Sequence, residues 1–133
     1  MRIQLALVVA AALALSACGG VTSPSSNTVE NFTGTLSINV GDTKIHTFSA
    51  SKTGELSVVI QSLTPTPATT TYFGVYLGLS QNGGCSVYQS NTFAILGQQA
   101  LGGTINSGNY CVMIADVGYL RNTTQYSLKV SHP

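Results

Sequence analysis

Apolar and polar residues alternate along most of the chain, in short runs separated by turn residues. Successive side chains of a β-strand point to opposite faces of a sheet, so this alternation predicts strands with one buried face. After residue 29, no stretch repeats apolar residues at helical spacing. The pattern predicts eight short strands, at residues 33–39, 44–50, 55–62, 72–80, 85–89, 92–96, 109–116 and 124–131, with 100–105 as a candidate ninth.

The clearest alternation also predicts the core. The inward residues of three strands are Phe73, Val75, Leu77, Leu79, Tyr110, Val112, Ile114, Tyr126, Leu128 and Val130. Segment 63–71 contains two prolines, which lack an N–H donor, and is predicted to be an exposed loop. Eight or nine short strands at this spacing predict an all-β fold, an antiparallel β-sandwich of the jelly-roll kind.

The amino-terminal segment has a different pattern. Arg2 precedes an apolar run over residues 5–15, and this run is too short to span a bilayer, which takes about 20 apolar residues. A basic residue before a short apolar run is typical of a signal peptide. The run ends in Leu15-Ser16-Ala17-Cys18, which resembles the bacterial lipobox. The resemblance implies that residues 1–17 are a lipoprotein signal peptide and that Cys18 becomes the acylated first residue of the mature protein.

The alternative at this site is ordinary secretory cleavage after Ala17. That cleavage favours small residues in an A-x-A pattern, and Leu15 occupies the first of these positions with a bulky side chain. We therefore expect an exported protein, anchored to the cell envelope through lipid on Cys18. Because lipoproteins kept at the inner membrane usually carry Asp after this cysteine, Gly19 indicates the outer membrane in a host that has one.

Composition divides the remaining chain in two. Residues 18–29 are rich in Gly, Ser, Thr and Pro and are predicted to be a flexible tether, which leaves residues 30–133 as one domain. Only 7% of residues are charged. Without Arg2, the basic residues number 5 − 1 = 4 and equal the 4 acidic ones. A neutral chain of this kind does not favour a nucleic-acid partner.

The cysteines suggest a disulfide. With Cys18 acylated, Cys85 and Cys111 remain, and an exported compartment is oxidising. A metal site or a reactive thiol is the alternative, but neither cysteine has a CxxC partner or a nearby histidine. Since its neighbours Tyr110 and Val112 are predicted inward, Cys111 is expected to point outward. We expect the bridge to join two neighbouring strands on the solvent side.

A series of turn and strand motifs spans residues 32–130. The motifs are Gly34-Thr35-Leu36, Val40-Gly41-Asp42, His46-Thr47-Phe48, Gly54-Glu55-Leu56-Ser57-Val58, Tyr76-Leu77, Gly108-Asn109-Tyr110 and Gln125-Tyr126-Ser127-Leu128. In this order they resemble the bacterial pre-peptidase C-terminal domain. The resemblance implies a non-catalytic jelly-roll-like sandwich that acts as an accessory or binding module, some relatives of which bind carbohydrate, collagen or calcium. Thr43 and Lys44 follow Asp42 where relatives often have acidic residues, which argues against calcium.

The sequence contains no recognisable set of catalytic residues. There is no GxSxG or HExxH motif. His46 lies in a predicted strand, and His132 is next to the carboxyl terminus, where chains usually fray. Asp42 and Asp116 are expected to shape turns. We expect no catalytic residue, no metal and no cofactor.

Tyrosines provide the candidate ligand face. Tyr72 and Tyr76 flank Gly74 on the outward side of strand 72–80, and Tyr88 and Tyr119 lie on or near loops. Such rings could stack on sugars or receive a protein strand. The alternative is that they only cover cross-strand neighbours, with the glycines accommodating a crossing loop.

The sequence thus predicts a membrane-anchored lipoprotein with a non-catalytic β-sandwich. Its function would be binding or interaction at the cell surface, with a glycan or an envelope protein as partner. A purely structural envelope lipoprotein and a small hydrolase are the alternatives.

Overall fold

The computed structural model describes residues 26–133, so the predicted signal peptide, Cys18 and residues 18–25 of the tether lie outside the described residues. The described residues contain no α-helix, and no helix there could cross a membrane. Eight strands follow in order: β1 (Thr28–Leu36), β2 (Thr43–Ala50), β3 (Gly54–Thr64), β4 (Phe73–Gln81), β5 (Gly84–Ala94), β6 (Gln99–Ile105), β7 (Gly108–Asp116) and β8 (Thr124–His132). The prediction of an all-β fold is confirmed.

The strands form two antiparallel four-stranded sheets. Sheet A has the order β1-β8-β3-β6 and sheet B the order β2-β7-β4-β5. Each sheet combines early and late strands, as in a jelly roll, and the two inner faces enclose one hydrophobic core. The predicted β-sandwich is therefore confirmed.

The core contains nearly all the residues that the alternation predicted. Nine of the ten are at most 5% exposed: Phe73, Val75, Leu77, Tyr110, Val112, Ile114, Tyr126, Leu128 and Val130. The exception is Leu79, which is 40% exposed. It lies two residues before the end of β4, so the buried stripe of this strand stops at Leu77.

Several predicted boundaries were wrong. β1 begins at Thr28, inside the segment assigned to the tether, and ends at Leu36 rather than at residue 39. β3 continues to Thr64, which takes the buried Leu63 out of the predicted loop. The segments 85–89 and 92–96 belong to one strand, β5, whose irregular register opposite β4 interrupts the alternation. The structure therefore has eight strands, the lower of the two predicted numbers.

Gly78 marks a close crossing of two strands. A Cβ atom built there would clash with the backbone carbonyl oxygen of Ser86 and would lie 2.6 Å from its carbonyl carbon. Only glycine leaves room for another backbone at this distance. The start of β5 therefore passes over the outer face of β4. From the sequence, such a crossing was the alternative explanation of the glycines in this strand.

This crossing explains the disulfide. Cys85 and Cys111 are bonded, with Cα atoms 5.7 Å apart, so the predicted pair is confirmed. The bond joins β5 to β7, and these strands are separated by β4 in sheet B. The expectation of neighbouring strands was therefore wrong. Cys111 is also fully buried rather than solvent-facing, because β5 lies over Gly78, its neighbour in the sheet.

The carboxyl terminus is ordered as part of the sandwich. His132 is the last residue of β8 and is 3% exposed, so the expectation that it frays was wrong. Its Nε2 lies 2.7 Å from Oε1 of Glu30 in β1, and its ring packs against Phe48 with centroids 4.8 Å apart. The backbone N–H of Ser51 donates to the Pro133 carbonyl at 3.1 Å. These contacts hold the end of the chain to both sheets.

The two ends of the sandwich differ. Thr28 pairs with His132 at one end, where the described chain begins, and Leu36 pairs with Thr124 at the other. The second end carries four connections, residues 37–42, 65–72, 95–98 and 117–123. We call it the loop end.

Candidate functional site

An exposed aromatic cluster lies at the loop end. The Tyr72 ring contacts the Tyr119 ring with centroids 5.2 Å apart and the Phe93 ring with centroids 5.7 Å apart, both edge to face. Phe93 is 66% exposed and Tyr119 is 45% exposed. We call these three residues the loop-end aromatic cluster. Large aromatic rings that remain this exposed are typical of a contact surface.

A β-bulge places Phe93 in this cluster. Asn91 pairs with Val75 and Ala94 pairs with Phe73, so Thr92 and Phe93 together lie opposite the single residue Gly74. The Phe93 N–H donates to Oδ1 of Asn91 at 2.9 Å, which holds the bulge. Bulges turn side chains away from the regular alternation, and here Phe93 is turned out of the core.

Asp116 fixes the loop that carries Tyr119. Its carboxylate is almost fully buried and accepts hydrogen bonds from the backbone N–H groups of Gly118 at 2.8 Å and Leu120 at 3.4 Å. Its other oxygen accepts from the N–H of Asn39 at 3.2 Å in the neighbouring loop. The expected turn-shaping role of Asp116 is confirmed. One buried anion therefore organises two loops of the site.

Asp42 shapes the turn before β2. Its carboxylate accepts from the Ser37 N–H at 2.7 Å and from Nζ of Lys44 at 3.1 Å. The Ser37 hydrogen bond and then the lysine hold the pKa of this carboxyl below its usual range. The carboxylates of Asp42 and Asp116 thus bind groups of the protein itself. Within residues 26–133, no group of three or more His, Cys, Asp or Glu side chains could hold a metal ion.

Aliphatic side chains extend the exposed surface. Val40 is 74% exposed, and its Cγ2 atom would lie 3.5 Å from a Cβ built on Gly118, next to Tyr119. Ile38, on the same loop as Val40, and Leu96, on the loop 95–98, are also exposed. The loop end therefore exposes several aliphatic side chains in addition to the aromatic cluster.

Comparison with known proteins does not assign the chain to a family. No protein-family model matches the chain, and no curated protein matches its sequence. The interpretation of the site therefore rests on its geometry.

The structure brings together only two of the four candidate tyrosines, Tyr72 and Tyr119. Tyr76 lies on the outer face of sheet B, where its ring covers Gly74, and a Cβ built on that glycine would lie 2.7 Å from the ring. Tyr76 therefore covers a neighbouring residue, which was the alternative to ligand binding. Tyr88 is exposed on β5 and makes no ring contact with any described residue.

Sequence reasoning missed Phe93. The signal that could have found it is the run Phe93-Ala94-Ile95-Leu96, in which apolar residues follow each other without alternation. Such a run at the end of a strand is compatible with a bulge. It was instead interpreted as a separate strand.

Two histidines bridge the sheets away from the loop end. Nε2 of His46 lies 2.7 Å from the Tyr126 hydroxyl, and its ring stacks on Phe32 with centroids 5.0 Å apart. Burial lowers the pKa of His46 and raises the pKa of Tyr126 to about 12. His132 has Glu30 as its partner. His46 of sheet B thus contacts sheet A, whereas His132 pairs with Glu30 of its own sheet and contacts sheet B through the Phe48 ring.

Proposed function

We propose that this protein is a lipid-anchored protein of the bacterial cell envelope whose β-sandwich binds carbohydrate at the loop-end aromatic cluster, without catalysis. The observation that carries the proposal is the exposure of Phe93, at a bulge of β5, and of Tyr119, on a loop that Asp116 holds in place. The lipobox-like segment ending at Cys18 and the resemblance of residues 32–130 to the pre-peptidase C-terminal domain support it.

The chemistry of the cluster favours a sugar. Aromatic rings present flat apolar faces that stack on the C–H faces of pyranose rings, and a tyrosine adds a hydroxyl at its edge. Threonines and Asn122 on the adjoining loops offer further hydrogen-bonding groups around the rings. A few polar groups around an apolar surface are typical of small-ligand sites. A purely structural envelope protein would have no reason to expose these rings.

The direction of the chain supports display at the surface. β1 begins at the end opposite the loop end, and a nine-residue strand spans about 30 Å. An anchor at Cys18 would therefore hold the starting end toward the membrane and present the loop end to the outside. In a host with two membranes, we propose the outer membrane as the site of the anchor.

The test of the binding function is a glycan array probed with the detergent-solubilised mature protein. We expect binding to a defined set of glycans and a loss of affinity of about tenfold or more in Tyr119→Ser or Phe93→Ser, because buried aromatic anchors contribute more than about 1 kcal/mol. Tyr88→Ser is the matched control, since the exposure of Tyr88 lies between those of Tyr119 and Phe93 but Tyr88 is outside the cluster. The proposal is wrong if no glycan binds, or if the two cluster variants bind as the wild type does.

The anchor has its own test, mass spectrometry of the amino-terminal peptide from membranes of the producing bacterium. We expect the mature chain to begin at Cys18 and to carry the mass of a diacylglyceryl group. Several acyl chains give stable membrane binding, whereas a single one is marginal. Cys18→Ala should leave the protein out of the lipid-anchored fraction. An unmodified Cys18 in the wild-type peptide would refute the anchor.

A further inference from the structure

A cavity adjoins the loop-end aromatic cluster. It has a volume of about 250 Å³ and lies between the proline-containing loop and the β7–β8 loop, with Pro65, Pro67, Thr71, Leu120, Arg121 and Thr124 among its lining residues. Thr71 directly precedes Tyr72, and Leu120 directly follows Tyr119. The cavity and the rings thus belong to the same two loops.

Arg121 gives this cavity a positive charge. The ion pairs within residues 26–133 are Lys44 with Asp42 and His132 with Glu30, so the Arg121 guanidinium has no carboxylate partner among them. Asp116, the nearest acid in sequence, is buried and accepts hydrogen bonds from backbone N–H groups. The charge of Arg121 is therefore uncompensated at the loop end.

We propose that the cavity binds the carboxylate of an acidic sugar, a uronic acid unit, while a neighbouring sugar stacks on Tyr119 and Tyr72. This inference rests on the proposed carbohydrate-binding function and specifies its ligand. The planar guanidinium of Arg121 matches a carboxylate with two parallel hydrogen bonds. A single cation balances a single carboxylate, whereas a phosphate monoester would retain an excess negative charge.

The test compares uronic acid oligosaccharides with their methyl esters, which keep the sugar rings and lose the charge. By calorimetric titration, the mature protein should bind the free acids about tenfold or more tightly than the esters, since hydrogen bonds between charged groups are the strong ones. Arg121→Ala should abolish this preference, so that the free acids and the esters bind with equal affinity. Arg121→Lys should retain part of it.

Lys129→Ala is the matched control, because Lys129 is exposed in β8 and lies outside the cavity. It should preserve the preference for the free acids. Equal affinity for acids and esters, no binding of the acids, or an unchanged preference in Arg121→Ala would each overturn the assignment of the cavity. If Tyr119→Ser still weakens the binding of neutral glycans by about tenfold or more in those cases, the carbohydrate-binding function stands without the cavity. If no glycan of either kind binds, both proposals fail.

Discussion

Replacement of Phe73 by alanine should lower the free energy of unfolding by about 3 to 5 kcal/mol, the usual cost of removing a fully buried phenylalanine side chain. Phe73 is fully buried at the start of β4, where its neighbours are Ala94 of β5 and Asp116 of β7. The variant loses the burial of the ring and leaves a cavity between the sheets. Urea denaturation with the disulfide intact measures the difference.

Phe93→Ala is the control for this change, because it removes the same atoms from a side chain that is 66% exposed. We expect it to alter the free energy of unfolding by less than about 1 kcal/mol, as for most surface substitutions. The contrast separates the two roles of phenylalanine in this fold, since Phe73 supports the core and Phe93 remains available for a ligand. Equal destabilisation by both variants would contradict the exposure of Phe93.

Loss of the disulfide should lower the free energy of unfolding by about 2 to 4 kcal/mol, since the bond closes a long loop in the unfolded chain. Cys85 and Cys111 are 26 residues apart in sequence. The double variant Cys85→Ala and Cys111→Ala is the better choice, because a single serine at the buried Cys111 would add an unsatisfied hydroxyl.

A reductant provides the control for this experiment. It should lower the midpoint of urea denaturation of the wild type toward that of the double variant and leave the double variant unchanged. Equal midpoints of the wild type and the double variant without reductant would contradict a stabilising bridge. The bond also holds the crossing of β5 over Gly78, so its loss should be most visible at the β4–β5 hairpin.

The fold was predictable where one face of a strand is uniformly apolar. In the middle of β7 and β8 every second residue is apolar and buried, and the alternation found both strands and their inward faces. β1 was misplaced because its core-facing positions include Glu30 and Gly34, so it resembles the polar tether before it. Its pairing with β8 depends on residues almost a hundred positions away, which no local pattern contains.

The candidate site was predictable only in part, for a related physical reason. Tyr72 and Tyr119 could be proposed from their residue type and their position near loops, but their contact depends on the pairing of β4 with β7. Phe93 joins them through a bulge that breaks the alternation. Tyr76 has the same residue type and lies over Gly74 instead. Which rings meet is decided by register and bulges.

The disulfide was also predictable only in part: the sequence identified the two cysteines but not the strands that they join. Counting cysteines identified Cys85 and Cys111 as a pair, because only two remained for an oxidising compartment. The strands that the bond joins could not be found this way, since β5 reaches β7 only by passing over the outer face of β4 at Gly78.

The most direct test of the loop end as the binding surface is a titration of the isotopically labelled protein with a glycan selected on the array, followed by amide chemical shifts. We predict that the largest shifts fall in residues 65–72, at Phe93 and in residues 117–123. The polar outer face of sheet A, represented by Ser57 and Ser127, should not respond. Shifts concentrated on that face, or around Tyr76 and Tyr88, would contradict the proposed site.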